Sequence, residues 1–449
     1  MTEGTPLPQR VARVMPGVID DLTRLVAIPS CAFPGFPAEP VLAAAEATVS
    51  WLQKSGVADA RTLDVPDGYP VVYGEIPGPP GAPTVLLYAH YDVQPAPAEQ
   101  GWTVDPWQPQ VRDGRLYGRG AADDKSGIAI HAAALQAFDG RPPVGIRVVV
   151  EGEEETDSHL DDFVRAHPDL FASDVYVIAD GGNEQVGVPV LEVTTRGAVF
   201  LEVEVTTLAQ PVHSGIFGGG APDALMALVR LLATLHDENG DVAVPGLFGE
   251  EWAGVDTDED LFRRAAGVLP DVPLSGSGRL ASRLWSKPSI SVIGLDAPPT
   301  DGAVNALVPK ARALVSMRIP PGADPQREAR LLAEHLVAAA PWGVRPAVGE
   351  PGAWEGWRTR EDGPVIAAAR EAMAEVYGQP VGLIGSGGSI PLLTTLQRLT
   401  PEAEFVLWGA EDGAQAKIHS ADESVDLAEL ERAALAEALL LQSLGDHAG

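Results

Sequence analysis

The sequence predicts an α/β protein: a mainly parallel, helix-covered sheet with a smaller α+β domain inserted into it. Three observations carry that prediction. Helical and strand patterns alternate through the first half, several apolar runs of strand length stop abruptly at an acid or a histidine, and the pattern changes to period-two alternation near residue 197 before the first character returns near Gly352. Alternating helices and strands argue for parallel strands joined by helical crossovers. Alternating apolar and polar residues argue instead for an antiparallel strand wet on one face.

The elements follow in order. Apolar residues at helical spacing predict helices over 11–26 and 41–52, and the glycines and prolines of 77–83 then punctuate the chain. The run from Thr84 to Ala89 reads as a strand ending in His90, with Asp92 two residues on. After a proline-rich loop and a turn-rich segment over 114–124 come a helix over 126–138 and strands over 145–150 and 175–179. The second character comprises a strand over 198–206, a helix over 222–235, a long irregular stretch over 237–286, strands over 289–293 and 311–319, and a helix over 325–340. A helix over 363–377, a glycine-rich loop over 385–389, a strand over 404–408 and a helix over 427–444 complete the chain. The expected division is therefore one domain from 1–196 and 353–449, and a second from 197–352.

At 449 residues the chain is about three times a ~150-residue domain, so two domains are expected and a large core can be buried. A hydrophobic content of 45% with 21% charged residues is that of an ordinary globular protein, which excludes disordered and fibrous classes. The formal net charge of −32 repels nucleic acid and anionic membrane, so neither is expected as a partner. One cysteine, Cys31, excludes an internal disulfide and a thiolate metal site. With no apolar run near the ~18 residues a membrane span needs, this points to a cytoplasmic protein.

The residues that carry chemistry are polar groups at the ends of apolar strands, where open α/β sheets place their ligand crevice. His90 and Asp92 lie on one face of an extended chain, the arrangement of an imidazole ligand whose second ring nitrogen is held by a carboxylate. A plain strand-end hydrogen bond is the commoner reading of that pair alone. Gly118 and Gly120 let the turn before the next helix fold tightly, so that Asp123 projects into the crevice and bridges two cations. For Asp123 and Asp124 singly, helix capping is favoured. No Gly-Lys-Ser/Thr ending accompanies those glycines, so a phosphate loop is not supported. Glu151, Glu153, Glu154 and Glu155 crowd the end of the next strand and repel one another unless cations neutralise them or their pKa values rise. Asp180 repeats the strand-then-acid layout, and His419 follows the 404–408 strand across a polar loop. Three strands ending in His, Glu and Asp, with a turn Asp and a late His, point to a two-metal hydrolase.

In these segments the chain resembles the M20 family of metallopeptidases, and within it the dipeptidase branch of carnosinases and cytosolic non-specific dipeptidases. The resemblance covers most of the chain and rests on His90-Tyr-Asp92-Val-Gln-Pro, Gly118-Arg-Gly-Ala-Ala-Asp123-Asp-Lys, Glu151-Gly-Glu-Glu154-Glu155, Asp180, Pro211-Val-His213-Ser-Gly, 305–318, Gly387-Gly-Ser389-Ile-Pro and His419-Ser. It implies that His90, Asp123 and Asp180 hold one divalent ion and Asp123, Glu155 and His419 the other, with Asp123 bridging and Glu154 as general acid and base. Two divalent ions, three carboxylates and a bridging hydroxide sum to zero charge, which leaves Glu154 able to take a proton. An all-nitrogen and oxygen donor set suits Zn²⁺ first, then Mn²⁺ or Co²⁺.

The resemblance further implies that residues 197–352 form a lid and dimerisation domain whose His213 acts across a homodimer to steady the oxyanion. By the same resemblance Arg318 grips the substrate's C-terminal carboxylate, and Asn305, Gly388 and Ser389 complete the contacts to a small peptide. Two departures stand out. Relatives usually carry Arg-Glu before the glycine loop where this chain has Gly385-Ser386, and Asn-Glu where it has Asp422-Glu423. The expected reaction is hydrolysis of the amide bond of dipeptides or small peptides. Rival readings are an N-acyl-amino-acid amidohydrolase or carboxypeptidase with the same centre, and a non-catalytic metal- or peptide-binding protein.

Overall fold

The computed structural model describes residues 5–388 and 390–447. Apolar β-branched runs build a nine-stranded sheet whose centre is parallel. Gly145–Glu151, Thr84–His90, Val175–Ile178 and Glu404–Leu407 lie side by side in that order, all in one direction. Antiparallel strands finish the edges, Val71–Ile76 and Arg61–Leu63 on one side and Val190–Thr195 with Trp357–Arg358 on the other. The central strands are buried on both faces, as continuous Val, Ile, Leu and Tyr runs require.

Helices cover those faces. Leu7–Val26, Lys125–Ala137 and Leu427–Asp446 pack together on one of them, and twelve of the thirteen residues of Lys125–Ala137 are buried. A helix enclosed on all sides must be apolar all round, which explains its run of alanines and isoleucines. Its one histidine, His131, is buried with Nδ1 2.9 Å from Glu437 and Nε2 2.9 Å from the Tyr88 carbonyl. The opposite face is sealed by an aromatic cluster containing Tyr176, Phe405 and Trp357.

A second, antiparallel sheet is built around the paired strands Gly197–Thr206 and Lys310–Ile319, flanked by Ser289–Asp296 on one side and the short strands Ala347–Val348 and Gly352–Trp354 on the other. It has its own core, in which Val199, Leu201, Val203, Val315 and Met317 meet the helices Ala224–Leu232 and Pro325–Ala338. Among the described residues no helix is long and apolar enough to cross a membrane.

Several elements depart from the sequence expectation. The strands Val71–Ile76 and Val190–Thr195 and the helices Leu160–Ala166 and Pro391–Leu399 lie outside it, and the expected glycine loop begins as the strand Gly382–Ser386, parallel to Val190–Thr195. Each of these strands has polar or glycine residues inside it, and tertiary pairing outweighs that weak local preference. Within the irregular 237–286 stretch lies the helix Glu259–Ala265, capped by Asp258, whose carboxylate accepts from the Leu261 N–H at 2.7 Å.

Candidate metal centre

The carboxyl ends of the central strands converge on Asp123. Its two oxygens face different histidines: Oδ1 lies 3.1 Å from His90 Nε2, and Oδ2 lies 2.9 Å from His419 Nε2. His90 ends its strand and is fully buried, whereas His419 lies on a half-exposed loop and adopts a left-handed φ of 60°. Around His90 Nε2, Asp180 Oδ1 stands at 3.8 Å and Glu154 Oε2 at 4.0 Å. Around His419 Nε2, Glu155 Oε2 stands at 3.3 Å. Donor atoms of His90, Glu154 and Asp180 lie within 4.8 Å of one another, and so do those of Asp123, Glu155 and His419.

Neighbouring groups hold these side chains in place. His90 Nδ1 lies 3.1 Å from the Asp92 backbone carbonyl and 3.4 Å from Asp92 Oδ1, and the Asp92 carboxylate accepts the backbone N–H groups of Glu154 at 3.1 Å and Glu155 at 3.0 Å. One acid therefore orients an imidazole and pins the turn that carries two glutamates. Asp124 caps the following helix by accepting from Gly127 N and also accepts from His90 N at 3.1 Å. Glu423, fully buried and paired with Arg119 Nη1 at 2.6 Å, accepts the N–H groups of Ala122 and Asp123 at 3.0 and 3.2 Å. Its neighbour Asp422 accepts from Thr103 N at 2.8 Å, a use of its oxygen alone.

The four crowded glutamates separate their charges. Glu151 accepts from the hydroxyls of Tyr88 and Ser158, and burial pushes it up to about 7. Glu153 turns to His159 at 3.1 Å, and Glu154 and Glu155 turn to the centre. There, burial and then the charge of Asp180 push Glu154 well up, and burial pushes Asp180 up to about 7. Burial opposes ionisation of Asp123 too, but its hydrogen bonds from His419 and His90 outweigh that and hold it well below the usual range. The bond to Asp123 raises His419 to about 10. The carboxylates that raise His90 and His419 are the ones that cations bound there would neutralise. The donor set is nitrogen and oxygen only and converges on one spot, which fits a pair of borderline or hard divalent ions.

Glu411 is a further member of the site that the sequence reading misses. It follows the apolar run 405–410, the same strand-then-acid layout as Asp180, and its carboxylate comes within 4.8 Å of ligand atoms of Asp123 and Asp180, with burial pushing it well up. The apolar run that ends at Ala410 is the sequence signal for it, together with the acidic character of the 411–412 segment.

The remaining expected residues lie on the second sheet and the glycine loop. Arg318 lies on Lys310–Ile319 and lines, with Glu154, Tyr88, Phe200 and Trp354, a cavity of about 330 Å³. His213 and Asn305 adjoin each other through the Ser214 N–H to Asn305 O bond of 3.0 Å. Both are exposed, and among the described residues His213 belongs to no cluster of metal-binding donors. The Gly388 N–H meets Ser386 Oγ at 3.2 Å, while Ser389 lies outside the described residues.

The chain matches the profile of peptidase family M20/M25/M40 over residues 86–443. It is 41% identical over 372 residues to a cysteinylglycine-S-conjugate dipeptidase of Corynebacterium striatum, covering 81% of this chain and 82% of that one. It is 29% identical over 394 residues to the β-Ala-His dipeptidase of Rattus norvegicus, covering 82% and 79%. Among solved structures, human carnosine dipeptidase 1 superposes with a TM-score of 0.82 at 25% identity over 98% of each chain. A Saccharomyces cerevisiae dipeptidase shares the fold, with a TM-score of 0.82 at 24% identity over 99% of each chain.

Proposed function

The chain belongs to peptidase family M20/M25/M40, and on that premise we propose that it is a metal-dependent dipeptidase whose five donors His90, Asp123, Glu155, Asp180 and His419 hold two divalent cations, zinc first among them. The observation that carries this reading is Asp123, whose two oxygens each face a different histidine, one from a strand end and one from a loop 296 residues after Asp123 itself. A bridging carboxylate needs that two-sided exposure.

Bound there, a pair of divalent ions lowers the pKa of water from 15.7 towards ~7 and polarises a carbonyl oxygen. The chain's own groups do the rest. Glu154 takes the proton from the attacking water and gives it to the leaving amine, and Asp92 fixes it for both transfers by holding its backbone N–H. The Arg318 guanidinium receives the substrate's C-terminal carboxylate through paired hydrogen bonds, with Asn305 and Gly388 as further substrate contacts. His213 is directed outward on residues 197–352, which act as lid and dimerisation domain, and it reaches the centre of a second copy in a homodimer. The exposed apolar side chains of Val292, Ile293 and Leu295 on the edge strand Ser289–Asp296 favour such an association. The single cysteine accords with a reducing compartment, the cytoplasm.

The test is elemental analysis, then stripping and add-back of Zn²⁺, Mn²⁺ and Co²⁺ against free dipeptides and their N-acetylated forms. Turnover of free dipeptides restored by two equivalents of metal is expected. Preferential turnover of the acetylated forms would assign an acyl-amino-acid hydrolase instead.

A further inference from the structure

Arg196 is the single residue between Val190–Thr195, a strand of the main sheet, and Gly197–Thr206, which opens the second sheet. It is buried, with 9% of its surface exposed, and its contacts reach across the junction. Its backbone N–H donates to the Gly388 carbonyl at 2.9 Å, its Nε donates to the Gly387 carbonyl at 3.4 Å, and its Nη1 donates to Ser289 Oγ at 2.9 Å. Ser289 is the residue paired directly with Arg318 in the second sheet. One residue therefore ties the glycine loop, which hangs from the main sheet, to the strand beside Arg318.

The loop is held from its other side as well, because the Gly388 N–H meets Ser386 Oγ at 3.2 Å. With two glycines and no side chains of its own to pack, the loop at 387–388 takes its position from these bonds. A guanidinium is well shaped for such a tie, since its planar fork reaches several acceptors at once in fixed directions and a lysine ammonium does not. The hydrogen bonds it makes are charge-assisted and stronger than neutral ones. Burial and the nearby charge of Arg318 push the Arg196 guanidinium down to about 10, still cationic at neutral pH, so it adds positive field on the same side as Arg318.

We propose that Arg196 is a positioning residue that sets the separation of the 387–388 loop from Arg318 and thereby the recognition of the substrate's C-terminal carboxylate. This rests on the reading of Arg318 and the loop given under Proposed function. The proposal concerns specificity and leaves bond cleavage to the centre around Asp123.

The experiment measures kcat and KM of the metal-loaded protein on a dipeptide and on its C-terminal carboxamide, for the parent, Arg196→Met, Arg196→Lys and Arg318→Met. It adds inhibition by the free C-terminal amino acid, which carries the same carboxylate. For both Arg196 variants KM for the free dipeptide should rise on the order of tenfold with kcat within about threefold, as expected when ground-state and transition-state binding are lost together. Preference for carboxylate over carboxamide should fall, and the inhibition constant should rise in parallel. Arg196→Lys keeps the charge and guards against a Met variant that fails to fold. An equal loss on both substrates with the preference intact would show a merely structural residue and overturn the proposal, as would unchanged kinetics beside a strong Arg318→Met effect. If Arg318→Met itself leaves the preference unchanged, the underlying reading of Arg318 fails and the proposal falls with it.

Discussion

The donors around Asp123 and the outward-facing pair His213 and Asn305 are built in opposite ways. Around Asp123, several donors are held through a second buried group: His90 by Asp92 at its ring and Asp124 at its backbone N–H, the 154–155 turn by Asp92, and the Asp123 turn by Glu423 and Arg119. Among the described residues the His213 ring makes one local bond, its Nδ1 accepting from the Gly215 N–H at 3.0 Å, and the residue is exposed. Closely spaced carboxylates are tolerated only inside a rigid, over-determined frame that fixes where the compensating charge sits. A group that works on something arriving from outside must stay accessible.

The largest expected effect breaks the buried side of this contrast. Glu154→Gln keeps the shape of the turn and removes the proton acceptor, so turnover should fall by about 10²–10⁴-fold while metal content, read by elemental analysis, stays at the parent value. Normal turnover would remove Glu154 from the mechanism. Next comes the frame itself: Arg119→Met leaves the fully buried Glu423 without its cation and should cost ~3–5 kcal/mol in urea unfolding. A much smaller loss would show that the frame is not held by that pair.

On the exposed side, His213→Ala should slow turnover on the order of 10²-fold with no change in unfolding free energy or metal content. Loss of stability there would erase the distinction between the two regions.

The smallest effect sharpens the comparison through pH. Burial opposes protonation of His131, but the charge of Glu437 outweighs it and raises the imidazole above 6.5. With the folded value above the unfolded one, the pair's contribution is complete below 6.5 and is lost as pH rises through the folded value. The stability advantage of the parent over a His131→Gln, Glu437→Gln double variant should therefore be larger at pH 6 than at pH 9 in urea titrations. A constant advantage would mean that His131 is neutral throughout.

What the sequence makes legible follows the same division. His90, Glu155 and Asp180 stand out because long apolar strands end just before them, and the buried parallel centre of the sheet is visible in the same runs. Glu411 is harder to see because Trp408, Gly409 and Ala410 separate it from the end of the strand Glu404–Leu407, and its own place is set by pairing with Gly182–Asn183, a long-range contact with no local signature. Arg196 is hidden for a similar reason: beside a change of strand pattern it looks like an ordinary junction residue, and its partners, Gly387, Gly388 and Ser289 among them, come from segments far away in the chain. The strand Gly382–Ser386 reads as loop in the sequence because its glycines suggest a turn, yet Gly385 packs closely on Thr194 and Trp285, where a side chain has no room.

The most direct test of the central claim is the metal stoichiometry of Asp123→Asn beside the parent. If Asp123 joins two cations, the parent should hold two equivalents by elemental analysis and lose turnover in chelator, and the variant should hold one or none and be inactive. A parent that works undiminished without bound metal, or a variant that keeps both ions and full turnover, would contradict the account.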